Sequence, residues 1–191
     1  TDFRQLKAIH SLGAGVDHLI ADDSIPKHLP IARIVDEQLT TGMRRYVLMA
    51  VLNFHKNLYT HLIAQQNGQW TGLNAAEYPL KIGILGLGQL GKTIALDLKQ
   101  LNFEVAAYSR SVKAMPGIRC YSAEKEELPL FLANVNTVVC LLPLTSETED
   151  FIDWNFFQQL PDQSFLINVG RGKHLVDADL IRALDNGKIK G

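Results

Sequence analysis

The sequence predicts an α/β protein built on a doubly wound, parallel β-sheet. Three observations lead there. The apolar runs at residues 81–85, 104–108, 137–142 and 165–169 are continuous rather than alternating, as strands buried on both faces are. Helical segments separate or follow them at 87–100, 123–133, 155–160 and 177–185, so strands and helices alternate along the chain. Between the first of these strands and the first of these helices stands Gly86-Leu87-Gly88-Gln89-Leu90-Gly91, a G-x-G-x-x-G pattern in strand–turn–helix context.

The elements follow in order. An apolar run over 6–10 ends at Ser11-Leu12-Gly13-Ala14-Gly15, which reads as a strand and a tight glycine turn, and a short helix over 16–20 follows. A second short strand is expected over 31–35. From Thr40 to about Gln66, Met43, Val47, Leu48, Val51, Leu52, Phe54, Leu58 and Leu62 recur at spacings of three and four with no proline, predicting one long helix that Asn67-Gly68 stops. Residues 70–79 read as an irregular connection. Leu128-Pro129 falls in the middle of the helix expected over 123–133, Asn186-Gly187 ends the helix over 177–185, and residues 188–190 can begin another strand. The chain reads as cut at both ends: strand–helix material is expected before Leu6, and a further sheet strand after Gly191. Residues 81–191 are thus expected to form a nucleotide-binding Rossmann-like domain truncated at its C-terminal end, preceded by a distinct region 1–42 and a connecting region 43–80.

Composition excludes several classes. Of 191 residues, 47% are hydrophobic and 20% charged, so a core can be buried, and a net charge of -1 supplies no bulk attraction to nucleic acid or an anionic membrane. Cys120 and Cys140 are too few for a disulfide framework or a zinc site and are expected to be reduced thiols. No His/Cys/Asp/Glu cluster has metal-ligand spacing. Thr1 to Lys7 lacks the apolar core of a secretion signal, and no run approaches the roughly 18 apolar residues of a membrane span, so a cytoplasmic protein is expected.

The glycine pattern has a physical reading. Gly86 permits the tight turn, Gly88 lets the backbone approach a pyrophosphate, and Gly91 lets the helix pack on the strand, while the N–H groups of the new helix face the anion. Cofactor choice is read further on. An acid about 20 residues past the turn accepts a ribose 2′-hydroxyl in NAD-binding domains. Here the strand ends Tyr108-Ser109-Arg110-Ser111-Val112-Lys113; Glu104 belongs to the far end of the strand, and the next acid is Glu124. Arg110 between Ser109 and Ser111 suits a 2′-phosphate instead, with Lys113 helping at longer range. NADP(H) is the expected cofactor, with NAD(H) the alternative.

Asn168-Val169-Gly170-Arg171-Gly172 closes the fourth predicted strand of this sheet. Ligands of open parallel sheets bind beyond the strand carboxyl ends, so Arg171 shares a rim with Gly86 and Ser109. A cation there can bind a substrate carboxylate and polarise a neighbouring carbonyl. Spacing alone leaves a surface arginine or an ion-pair partner equally open.

Ser11 to Asp17, Gly86 to Gly91, Leu142-Pro143-Leu144-Thr145 with Glu147-Thr148, and Asn168 to Gly172 together resemble the D-isomer-specific 2-hydroxyacid dehydrogenases, in order and spacing over nearly the whole chain. Tyr108-Ser109-Arg110-Ser111 with Met115-Pro116-Gly117 is most similar to the glyoxylate/hydroxypyruvate reductase A branch. The resemblance implies that 1–42 is part of a flavodoxin-like substrate-binding domain and that 43–80 holds the interdomain helix and a dimerisation arm, with Trp70 as an interface anchor in a homodimer. It implies that Arg171 holds a small 2-oxo acid, that the Ala14 and Gly15 N–H groups bind its carboxylate, and that Leu142, Pro143, Val169 and Gly170 line the cofactor pocket. The implied activity is NADPH-dependent reduction of glyoxylate or hydroxypyruvate. The family's catalytic glutamate and histidine fall beyond Gly191, so residues 1–191 alone are expected to bind dinucleotide without turnover. Alternatives are another enzyme on this scaffold, such as a phosphoglycerate or formate dehydrogenase, or a non-catalytic dinucleotide sensor. His174 reads as a residue of the rim, and His10 and His18 as packing or solvated residues flanking the substrate loop.

Overall fold

The computed structural model describes residues 5–34, 36–70 and 79–191. Its first part contains β1 (Ile9–Ser11), α1 (Asp17–Ile20) and β2 (Ile31–Arg33), with β1 and β2 paired in parallel as a two-stranded sheet. Two helices follow, α2 (Glu37–His55) and α3 (Leu58–Gln66). The remainder is β3 (Lys81–Leu85), α4 (Gln89–Gln100), β4 (Glu104–Ser109), β5 (Arg119–Ser122), α5 (Leu128–Ala133), β6 (Thr137–Cys140), α6 (Trp154–Gln159), β7 (Phe165–Asn168) and α7 (Asp177–Asp185).

The larger sheet has five strands, all parallel, in the order β5-β4-β3-β6-β7. Reversal of strand order between β3 and β6 makes a crevice at their carboxyl ends, the topological switch point where open α/β sheets bind ligands. Each face carries its own core. Ile82, Ile84, Val105 and Ala107 pack with Val47 and Val51 of α2 and Ile94 and Leu98 of α4; Leu85, Tyr108 and Val138 pack with Phe131 and Leu132 of α5, Phe156 and Phe157 of α6 and Ala183 of α7. A sheet so covered needs apolar side chains on both faces, which is why its strands read as unbroken apolar runs.

The helix expected from Thr40 to Gln66 is two helices. α2 opens at Asp36, whose carboxylate accepts the Gln38 N–H, and its buried Val47 and Val51 face the domain. Arg44 pairs with Asp97 of α4 at 2.7 Å, and Phe54 stacks on Phe165 with ring centroids 4.2 Å apart. Beyond His55 the chain breaks at Asn57, which takes the left-handed conformation at φ 50°. Asparagine tolerates that region, and the apolar spacing continues through it, so periodicity alone conceals the break. The expected helix over 123–133 is also corrected: a 3₁₀ turn at Ala123–Lys125 ends at Glu126 (φ 54°), and Pro129 lies in the first turn of α5, where a missing N–H costs nothing. β5 was in no predicted element, because Arg119-Cys120-Tyr121-Ser122 is an edge strand without an apolar run. Arg171 therefore follows the fifth strand of the sheet, not the fourth. Where a strand is expected over 188–190 there is only an isolated parallel bridge of Ile189 to Ser164. Val35 and residues 71–78, with most of the predicted connection, lie outside the described residues.

Phe131 is the keystone of the α5 face. It is fully buried beside Tyr108 and Tyr121, and a Cβ on Gly83 would stand 2.6 Å from its ring, so the strand must be bare there. Phe131→Ala is expected to destabilise the protein by about 3–5 kcal/mol, measured by denaturant unfolding.

Candidate functional site

Everything the sequence singles out for chemistry is delivered to the carboxyl edge of the larger sheet. β3 runs into Gly86, whose φ of 102° is closed to other residues and whose hypothetical Cβ would lie 3.0 Å from the Leu141 carbonyl oxygen. A Cβ at Gly91 would overlap the Gly86 carbonyl, so α4 reaches this depth only because a hydrogen stands there. Gly88 has a different job: its φ is an ordinary -71°, and among the described residues nothing lies within 4 Å of where its Cβ would be. The space in front of the turn is open. α4 begins behind it with no side-chain cap and no acid in its first turn, so unsatisfied N–H groups and the positive end of a 12-residue helix face that space. The turn fits a pyrophosphate.

The loop after β4 lies alongside. Lys113 Nζ donates to the Leu87 carbonyl at 2.8 Å, which fastens this loop to the glycine turn; the lysine expected to act at long range on a 2′-phosphate is a bracket between the two. Ser109 is buried, and its hydroxyl donates to the Ser111 carbonyl at 2.8 Å, shaping the loop rather than facing outward. Arg110 and Ser111 are exposed, and among the described residues no carboxylate pairs with Arg110. Glu104 is at the opposite end of the strand, 3.7 Å from Lys81. Glu124 is a surprise. Because β5 returns beside β4, the Glu124 carboxylate accepts the Val112 N–H at 3.4 Å and its own N–H donates to the Arg110 carbonyl at 3.3 Å. Sequence reading missed it for want of β5.

On the other side of the crevice, Leu142 and Pro143 follow β6. The Pro143 carbonyl accepts the Thr148 hydroxyl at 2.6 Å, which also accepts the Thr145 N–H at 2.9 Å, so the Leu-Pro-Leu-Thr run is a closed turn. Gly170 abuts it: a Cβ there would stand 3.2 Å from the Leu142 carbonyl oxygen and 2.8 Å from the His174 ring. Asn168 braces the loop that carries Arg171, accepting the Gly170 N–H at 3.1 Å and donating to the Arg171 carbonyl at 3.0 Å.

His174 is not a residue of the rim. It is fully buried beneath Arg171, whose N–H donates to its Nδ1 at 2.9 Å, and its Nε2 has no partner among the described residues. Accepting that bond fixes the proton on Nε2. The Cys140 thiol lies 3.9 Å from the same Nδ1, and burial pushes it up to about 11, so it stays a neutral thiol. The signal in the sequence was only a histidine three residues past Arg171, and solvent exposure is the commoner fate of such a residue.

Arg171 itself reaches across to the first part of the chain. Its Nη2 donates to Asp17 Oδ1 at 2.9 Å, and a Cβ on Gly15 would overlap the same nitrogen. The Asp17 carboxyl is held below the usual carboxylate range, chiefly by this bond. Among the described residues the N–H groups of Ala14 and Gly15 have no hydrogen-bond partner, while the Ala14 carbonyl accepts from Arg33 at 3.0 Å. One face thus gathers two free backbone donors and a guanidinium. Arg171, Ala14, Gly15 and Gly170 come together; Arg110 and Ser111 mark the other end of the crevice, beyond the glycine turn. His10 and His18 are exposed, and among the described residues no group of His, Cys, Asp and Glu is placed to hold a metal.

Five parallel strands in this order, with a glycine turn at the switch point, define a Rossmann-type α/β protein. Residues 48–191 match the family model described as D-isomer specific 2-hydroxyacid dehydrogenase, NAD binding domain. The chain is 37% identical over 196 residues to glyoxylate/hydroxypyruvate reductase A of Enterobacter sp. (strain 638), an alignment covering 98% of the chain and 62% of that protein. It superposes at TM-score 0.92 and 38% identity on a D-isomer specific 2-hydroxyacid dehydrogenase from Xanthobacter autotrophicus Py2 in complex with NADPH and MES, covering 98% of this chain and 59% of that one. An NADPH-dependent glyoxylate/hydroxypyruvate reductase from Sinorhizobium meliloti, in complex with NADP and sulfate, matches at TM-score 0.91 and 33% identity over 97% of this chain and 60% of that one. The chain belongs to the D-isomer specific 2-hydroxyacid dehydrogenase family, and it spans about three fifths of the length of these relatives.

The second and third glycines of the turn make separable predictions. Gly88→Ala is expected to leave the melting temperature unchanged and to weaken dinucleotide binding, measured by quenching or calorimetry. Gly91→Ala is expected to lower stability by about 1–3 kcal/mol through overpacking, whether or not nucleotide is present.

Proposed function

We propose that the full-length protein reduces a small 2-oxo acid, glyoxylate or hydroxypyruvate, to the 2-hydroxy acid with NADPH. The observation that carries this reading is the seat of Arg171, beside Gly15 and on the same sheet edge as the glycine turn, with the Ala14 and Gly15 N–H groups unpartnered among the described residues. Gly86 to Gly91 would hold the pyrophosphate, Arg110 and Ser111 the adenosine ribose end, and Leu142, Pro143, Val169 and Gly170 the nicotinamide end. The bound dinucleotide supplies hydride to C2 of the oxo acid. Arg171 draws in the substrate carboxylate, polarises the adjacent carbonyl and stabilises charge gathering on its oxygen. Ala14 and Gly15 add two backbone donors to the same carboxylate. His174 is not the proton donor: it is buried, and its Nδ1 is taken by the Arg171 N–H. The family resemblance assigns that step to a histidine outside residues 1–191, with a glutamate keeping it charged.

The relatives' complexes with NADPH and NADP favour the phosphorylated cofactor, and exposed Arg110, with no carboxylate paired to it among the described residues, suits it. Residues 1–42 are read as part of the substrate domain, 43–80 as the interdomain helix and arm, and 81–191 as the nucleotide domain. Exposed Tyr46, Met49, Tyr59, Leu62 and Trp70 along α2, α3 and the chain just after them support a homodimer through this face. Two free thiols suit a reducing compartment such as the cytoplasm, and among the described residues no helix is long and apolar enough to cross a membrane.

Two measurements on the full-length protein check the reading. Arg171→Lys keeps the charge and loses the planar fork. It is expected to lower kcat/KM for glyoxylate about ten- to a hundred-fold with NADPH affinity intact, each tenfold being about 1.4 kcal/mol; near-normal turnover contradicts the role. The wild type is expected to prefer NADPH over NADH by roughly ten- to a hundred-fold, the worth of one charge-assisted bond. Arg110→Ala should erase most of that by weakening NADPH alone, and rising salt should shrink it; equal use of both cofactors by the wild type overturns the assignment.

A further inference from the structure

Arg171 is gripped through all three of its nitrogens, by two partners. Its Nε donates to Asp17 Oδ1 and Oδ2 at 3.2 and 3.3 Å, its Nη2 to Oδ1 at 2.9 Å, and its Nη1 to the Gly170 carbonyl at 3.0 Å. A guanidinium has five N–H bonds in one plane. These contacts occupy the Nε proton and one on each terminal nitrogen, so one proton remains on Nη1 and one on Nη2. Those two N–H bonds are what Arg171 has left to offer a carboxylate.

We propose that Asp17 is a positioning residue for the reduction: it clamps the Nε/Nη2 edge of Arg171 so that the remaining N–H bonds meet the carboxylate and carbonyl of the oxo acid. The proposal rests on the reading of Arg171 as the substrate-binding cation. Three features support it. The two residues are 154 positions apart, so the clamp joins the substrate loop at the start of α1 to the loop after β7. Gly15 closes on the same nitrogen from beside Asp17, leaving the guanidinium no room to turn that way. The Asp17 carboxyl is held below its ordinary range chiefly by its bond to Arg171, which favours the charged form that the clamp uses.

The clamp has an electrostatic consequence. Asp17 cancels much of the arginine charge, so substrate capture relies on directed hydrogen bonds rather than on a bare cation. Without Asp17 the guanidinium keeps its charge and its Gly170 bond but loses its orientation. An anionic substrate is then still captured, at least as well, but its carbonyl is no longer held in the reactive geometry. This is a loss in kcat without a rise in KM, which local unfolding of the loop does not produce.

The test uses the full-length protein with Asp17→Asn, Asp17→Ala and, alongside them, Arg171→Lys. Glyoxylate kinetics are measured at saturating NADPH, with NADPH affinity and melting temperature as controls. The expected result for Asp17→Ala is a fall in kcat of about ten- to a hundred-fold, the worth of one charge-assisted bond. KM for glyoxylate should be unchanged or lower and NADPH affinity unchanged, with Asp17→Asn intermediate because it retains one acceptor oxygen. Wild-type kcat in both Asp17 variants overturns the proposal and makes the pair a passive surface contact. Preserved kcat with a lowered KM also overturns it, showing Asp17 to compete with substrate rather than position its partner. A rise in KM at constant kcat overturns it in favour of loop damage. If Arg171→Lys itself turns over normally, the reading of the site has failed; if only the Asp17 variants do, the site stands and the clamp falls.

Discussion

Helix α4 lies against the end of β3 so closely that no side chain fits at Gly91, and much of the architecture follows from that approach. It puts the first turn of the helix directly beyond the strand, with its free N–H groups in the crevice opened by the reversal of strand order. It also lets α4 carry Asp97 to Arg44 of α2, which docks the helix from the first part of the chain on the sheet. Backbone geometry, not a charged side chain, makes this the anion-binding end of the molecule. Open space in front of Gly88 completes it.

The two ends of the crevice are built by opposite means. At the end beyond β4, the loop is fastened by its interior contacts: Lys113 to Leu87, Ser109 to Ser111, Glu124 to Val112. These bonds leave Arg110 exposed with no carboxylate paired to it among the described residues. At the end beyond β7, the loop is fastened from below by His174 and Asn168 and from across the crevice by Asp17. Buried His174 explains why Gly170 must be glycine, since a Cβ would meet the imidazole at 2.8 Å. A rigid floor under Arg171 and a carboxylate clamp beside it together define where its donors point.

That arrangement ties the start of α1 to the loop after β7. Arg171 to Asp17 is a partly exposed pair, with side chains 44% and 25% exposed, and such pairs contribute little to stability. Its significance lies in geometry. The pair is where the first part of the chain meets the loop after β7, so the placement of that part bears on what holds Arg171.

The sequence by itself determined the parallel sheet, the glycine turn with the division of labour among its glycines, the shift from an acid to Arg110 after β4, and Arg171 at the strand ends. Each is a local signal: a continuous apolar run, a turn that only glycine permits, or a charged residue at a strand terminus. Tertiary structure decided the rest. The break at Asn57 depends on where the packing surface for α2 ends, not on the apolar spacing that runs through it. β5 is an edge strand recognisable by its pairing with β4, and with it comes Glu124. His174 is buried because the loop folds over it, and Asp17 becomes the partner of Arg171 only when residues 154 apart are brought face to face. Hydrophobic periodicity reports which face of an element is covered; it carries no information about which polar groups from distant elements meet across a crevice, and there the chemistry of this site is set.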